Sequence, residues 1–215
     1  MAPRVWTDHV ALAALLAALT VRPAEAPATV AEQRARLPPP AECVDPIVGT
    51  WRGLTWYPHH REWFEFTLEI QRAPGKAGEL TGSILAHFWD GTPEVSEPGA
   101  CTGPGIRVVV RQPAVGTFDG KQVTFRGTSW KVERVICGQW NGDYAVEQFV
   151  GTLEPERQEF QSVNDWSDND NDDEYPTVFR RIRCADVPSD GPVEPRPGEG
   201  GVAPPPFQPS VKSGC

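Results

Sequence analysis

The regular alternation of apolar and polar residues says most about this chain. It is clearest at Phe64, Phe66, Leu68 and Ile70, which alternate with Glu65, Thr67, Glu69 and Gln71. That pattern predicts a strand with one buried and one wet face. Just before it, Gly49-Thr50-Trp51-Arg52-Gly53-Leu54-Thr55-Trp56-Tyr57 combines large rings, β-branched threonines and a glycine at each bend, and reads as the opening strand. Pro58-His59-His60-Arg61 is the hairpin tip between the two. Leu80, Gly82, Ile84, Ala86 and Phe88 then alternate with Thr81, Ser83, Leu85, His87 and Trp89, and a fourth strand is expected at 106–111. Asp119-Gly120 is a hairpin signal between strands at 115–118 and 122–126. Further strands are expected at 130–137, at 144–150 after the turn dipeptide Asn141-Gly142, at 160–163 and at 177–183. No stretch of this region sustains a helical period. The fold class is therefore all-β, an antiparallel up-and-down barrel of about eight strands, with a β-sandwich as the alternative.

The two ends read differently. Residues 1–26 place Arg4 before an uncharged apolar run at 10–21 and end in Ala24-Glu25-Ala26, the pattern of a signal peptide with a small-residue cleavage site. The run is too short to span a bilayer as a helix, so no membrane insertion is expected after cleavage. Residues 27–42 form a Pro/Ala-rich linker containing a short helix-compatible piece at 29–36. The barrel domain occupies 43–184. From 185 to 215 there are eight prolines and five glycines, which reads as a disordered tail that spaces the domain from a wall or partner.

Charge and cysteine count narrow the setting. Acidic residues outnumber basic ones 29 to 20, a net charge of -9 that argues against nucleic acid or an anionic membrane as partner. Export makes disulfides durable, and the secreted or periplasmic chain has five cysteines. Four of them allow three pairings; a sheet that closes on itself favours Cys43 with Cys184, leaving Cys101 with Cys137 and Cys215 over.

Gly49-Thr50-Trp51, hairpins such as Gly78-Glu79-Leu80-Thr81-Gly82-Ser83 and an arginine in the last strand resemble the lipocalin and avidin groups of eight-stranded barrels. That resemblance implies a first-strand tryptophan lying across the barrel floor, here Trp51, with Arg180 or Arg183 packed on its face. The polar contact set of the avidin site cannot be placed on this sequence, so biotin is not expected. The chain also resembles small exported bacterial modules that begin Gly-Thr-Trp-x-Gly and end in an aromatic strand and a terminal cysteine.

Candidate chemistry is sparse. Asp168, Asp170 and Asp172 have a spacing that lets a turning loop aim oxygens at calcium, but an EF-hand beginning at Asp168 would need Gly and Glu where Asp173 and Phe179 stand. His59, His60 and His87, with Glu62, are the candidate zinc ligands or acid–base groups. There is no nucleophile elbow and no phosphate-binding glycine loop. The expected function is that of a non-enzymatic, lipocalin-like module binding a small apolar molecule or an extracytoplasmic protein. Trp51, Trp56, Phe64, Phe66, Phe88 and Trp130 are expected inside the barrel against the ligand. No cofactor other than calcium is implied. The alternatives are a calcium-dependent interaction module and a small barrel enzyme using His87 or the His59 and His60 tip.

Overall fold

The computed structural model describes residues 28–101, 105–163 and 176–185. The signal peptide expected at 1–26, the acidic run with Asp168, Asp170 and Asp172, and residues 186–215 of the expected tail, with Cys215, lie outside the described residues. The elements are α1 (Val30–Arg36), β1 (Gly49–Tyr57), β2 (Glu62–Arg72), β3 (Glu79–Asp90), β4 (Arg107–Phe118), β5 (Gln122–Gly127), β6 (Lys131–Cys137), β7 (Gln148–Glu154), β8 (Glu159–Val163) and β9 (Pro176–Arg183). Every strand pairing is antiparallel. Eight strands close in the order β1-β2-β3-β4-β5-β7-β8-β9, and β6 adds to the first half of β4, beyond the end of β5. The fold is a barrel rather than a sandwich.

The pieces expected at 106–111 and 115–118 are one strand, β4, running straight through Pro113. Pro113 is tolerated because it stands where the partner on that side changes from β6 to β5, a gap that needs no N–H from it. Its carbonyl instead accepts from Thr128 N at 2.9 Å. The strand expected from 144 begins only at Gln148.

Register explains why the interior is filled. Followed one way, Gly53 aligns with Phe66, Ala86 and Val110. Followed the other way, it aligns with Phe179, Phe160 and Leu153, whose N–H reaches Lys121 O beside the β4–β5 turn. The two routes meet about ten residues apart along β4, a stagger that in an eight-stranded barrel leaves room for side chains and little more. Phe66, Phe125, Phe149, Phe160 and Phe179 are all 0% exposed, with Phe160 and Phe179 stacked at 4.9 Å. A Cβ on Gly53 would stand 2.9 Å from the Phe179 ring, so glycine here lets that ring cross the barrel.

Trp51 forms the floor. Its Nε1 donates to Ile47 O at 2.8 Å, and the Arg181 guanidinium lies over its ring at 5.3 Å. The arginine expected at 180 or 183 is thus Arg181. Alternation along β9 turns Thr177, Phe179 and Arg181 inward, sends Arg180 outward, and puts Arg183 past the last core ring, within 3.3 Å of Thr50 Oγ1. Arg181 also donates to the carbonyls of Asp45 and Val48 and to Gln158 Oε1. The arrangement is consistent with a calycin-type barrel.

Residues 28–42 are held against the outer wall. Thr29 caps α1 in a reciprocal capping box with Glu32. Gln33, fully buried, donates to Pro176 O and accepts from Val178 N, and so completes the edge of β9. Arg34 and Arg180 both bind the buried Glu159 carboxylate, and Arg180 also reaches the carbonyls of Arg34, Leu37 and Pro38. This strap covers an outer row of tryptophans, Trp56, Trp63 and Trp89, which are cross-strand neighbours, and Arg36 lies over the Trp63 ring at 4.9 Å. Disulfides join Cys43 to Cys184 and Cys101 to Cys137, which points to an oxidising, extracytoplasmic environment.

Candidate functional site

The end of the barrel opposite Trp51 is built differently. Inward positions fall in two rows there: Tyr57, Glu62 and Asp90 at the rim, and Thr55, Phe64, Phe88 and Val108 one step below. Phe64 and Phe88 stack at 5.1 Å, and Tyr57 meets Phe64 edge-on at 5.0 Å. Residues 138–147 form neither helix nor strand and lead the chain from β6 back to β7 across this opening. They bring Tyr144 onto Phe88, stacked at 5.7 Å, and Trp140 edge-on to the same ring at 6.0 Å. Trp130 closes the group from outside, 6.0 Å from Trp140 and 6.3 Å from Tyr144.

Polar groups are set among these rings. Tyr144 donates to Glu147 Oε1 at 2.5 Å, and Glu147 N donates to Gln112 Oε1 at 2.9 Å, all three residues being buried. Burial pushes the Tyr144 hydroxyl well above its usual range, and the Glu147 carboxyl adds to that. The Glu62 carboxyl is pushed up to about 7, first by burial and then by Asp90 directly across the strand pair. Thr55 Oγ1, Thr177 Oγ1 and Gln112 Nε2 are buried without a hydrogen-bond partner among the described residues. Unpaired buried polar atoms are costly enough to call for an explanation.

The residues expected to line a ligand separate into three groups. Trp51, Phe66, Phe64 and Phe88 are in the barrel, the first two in its packed lower part and the last two at the mouth. Trp56 is on the outer face: it is five positions from Trp51, an odd interval that strand alternation turns to the opposite side. Trp130 sits at the rim and is 36% exposed. Strand alternation from Trp51 and from Phe64 would have identified Tyr57 and Glu62, whereas Trp140 and Glu147 have no periodic signal and the alternation beginning at Tyr144 becomes a strand only from Gln148.

The histidines are not brought together. His59 and His60 are exposed in the β1–β2 turn, while His87 is on the outer wall of β3. Arg107 Nε donates to His87 Nε2 at 2.9 Å, and burial together with Arg107, Arg134 and Arg52 lowers the imidazole to about 4. The cross-strand Glu65 carboxylate is bound to Arg52. Among the described residues, no three His, Cys, Asp or Glu side chains are placed to hold a metal ion. Comparison of the chain with protein-family models, with curated proteins and with solved structures returns no match.

Proposed function

We propose that this protein is an exported, non-enzymatic barrel that binds a small, largely apolar ligand at its mouth, in the manner of a lipocalin-like carrier. The observation behind this reading is the cluster of Tyr57, Phe64, Phe88, Trp130, Trp140 and Tyr144, assembled at the end of the barrel that residues 138–147 cross. Rings supply most of the contact area at small-ligand sites, and a few convergent polar groups orient what binds. A ligand entering here displaces Tyr144 from the face of Phe88 and packs against Trp140, which requires no strand to separate.

The test uses N-phenyl-1-naphthylamine, an uncharged dye that brightens in apolar sites. Saturable enhancement, with energy transfer from tryptophan, is expected with the oxidised full chain. Trp140→Ala should weaken binding at least fivefold, and Trp89→Phe, on the outer row, should leave it unchanged. Absence of saturable enhancement, or equal effects of the two substitutions, would overturn the proposal.

A further inference from the structure

The composition of the mouth narrows the ligand. A site for a purely apolar molecule has no use for an inward-facing carboxyl, yet Glu62 occupies the same face of β2 as Phe64 and Phe66. The influences on it are its own burial and a second carboxylate, Asp90, both of which resist ionisation. Thr55 Oγ1, one inward position below Tyr57 and 99% buried in residue terms, has no partner among the described residues. On the adjoining strand, Thr177 Oγ1 is in the same condition.

We infer that the mouth takes an organic cation, specifically a primary ammonium on an arylalkyl chain; this rests on the mouth being the ligand site. Aromatic faces attract a desolvated cation, most strongly where water is excluded. Tyr57, Phe64, Phe88 and Trp140 are the rings of the mouth, and Glu62 and Asp90 stand one inward position above Phe64 and Phe88, the Asp90 carboxylate also accepting from Ile106 N at 2.9 Å. A carboxylate completes the recognition with a charge-assisted hydrogen bond. An ammonium carries three N–H donors, and the Thr55 and Thr177 hydroxyls are acceptors as well as donors. The aryl group takes the place of the Tyr144 ring stacked on Phe88, and Trp140 stays as part of the site. One ligand thus satisfies the excess negative charge at the rim and the unpaired hydroxyl groups beneath it.

The inference also fixes a pH dependence. Among the described residues, the groups around Glu62 are Tyr57 from β1, Asp90 from β3 and Tyr144 from the mouth segment, the last bonded to Glu147, with His59, His60 and Arg61 in the adjoining turn. With its carboxyl near 7, Glu62 is mostly neutral at pH 6 and mostly ionised at pH 8. An arylalkylammonium keeps its charge over that interval, so its affinity follows Glu62.

The experiment compares 2-phenylethylamine with propylbenzene, in which a methyl group replaces the ammonium, by tryptophan fluorescence on the oxidised full chain at low salt. At pH 8 the amine is expected to bind at least tenfold more tightly than the hydrocarbon. Its affinity should fall about tenfold at pH 6, while that of propylbenzene stays constant. Glu62→Gln should abolish the amine preference and the pH dependence without weakening propylbenzene, and Asp90→Asn should reduce the preference in part; near-UV dichroism checks that both variants are folded. Equal affinities for the two probes, or a preference that survives Glu62→Gln, would overturn the cation inference while leaving the mouth as the ligand site. Binding of neither probe would overturn both.

Discussion

Replacing Arg181 tests whether the barrel floor is a fixed structural unit. The side chain is 0% exposed, lies over Trp51 at 5.3 Å, and donates to Asp45 O, Val48 O and Gln158 Oε1. These acceptors come from the segment entering β1 and from the β7–β8 turn, so one guanidinium joins three parts of the chain. Arg181→Ala leaves the acceptors without their donor and removes the cover from the indole. Breaking a buried charged network from one side costs roughly 3–5 kcal/mol. Burial already opposes the charge on Arg181, lowering its pKa, so the lower end, about 3 kcal/mol, is expected. Arg181→Met keeps an apolar stem over Trp51 and fills most of the volume; its loss should be about 1–2 kcal/mol. Urea unfolding of the oxidised protein, followed by tryptophan fluorescence, measures both. If Arg181→Ala costs under about 1 kcal/mol, or the methionine variant is as unstable as the alanine one, the floor is not held in the way described.

Three further outcomes follow from the geometry. Because the folded Glu62 carboxyl is raised above its unfolded value, its stabilising contribution is complete below about pH 4.5 and lost as pH rises through about 7; Glu62→Gln should match the wild type near pH 4.5 and exceed it by about 1–2 kcal/mol at pH 8, after allowance for solvent screening, and equal stabilities at pH 8 would refute this. Gln33→Ala removes both bonds to the β9 edge and should cost about 2–3 kcal/mol, with the Val178 amide exchanging faster than the Phe66 amide, whereas unchanged Val178 protection would mean that the strap does not complete that edge. The His87 ring should titrate near 4 by proton NMR, held neutral by burial and by Arg107, and a midpoint above 6 would contradict the described pairing.

Period-two segments were legible because one face of each strand is wet: Phe64 to Ile70 could be assigned without neighbours. β1 was harder, since the outer face is covered as well. Trp56 and Leu54 are buried under the strap just as Trp51 is buried in the core, so hydrophobicity no longer marks inside from outside and only the odd spacing does. The strap itself was legible as a short helix but not as a packed element, because seven residues give two turns and the Gln33 and Arg34 side chains bind partners more than a hundred positions away. At the mouth, Glu62 follows from the parity of Phe64. Glu147 does not follow from any local pattern, and the alternation that begins at Tyr144 misleads, because a segment that forms neither helix nor strand places both residues. The orphaned hydroxyls of Thr55 and Thr177 are properties of the assembled barrel and have no sequence signature.

The location of the mouth follows from how the strands end. Among the described residues, β9 pairs with β1 only from Thr50 to Gly53, so the upper half of β1 has no strand partner on that side; β6 likewise has β4 on one edge and no described strand on the other. Exposed strand edges invite pairing with other chains unless something covers them. Here the strap meets β9 through Gln33, and residues 138–147 cross the opening and return to β7. At the floor, by contrast, the wall is a continuous ladder, further fixed by Arg181 and by the Cys43–Cys184 bridge between the two ends of the domain. Side-chain closure opens at lower free energy than a backbone ladder does. A barrel with a packed aromatic interior can therefore still admit a ligand, provided that the ligand enters where rings, rather than strands, form the last layer.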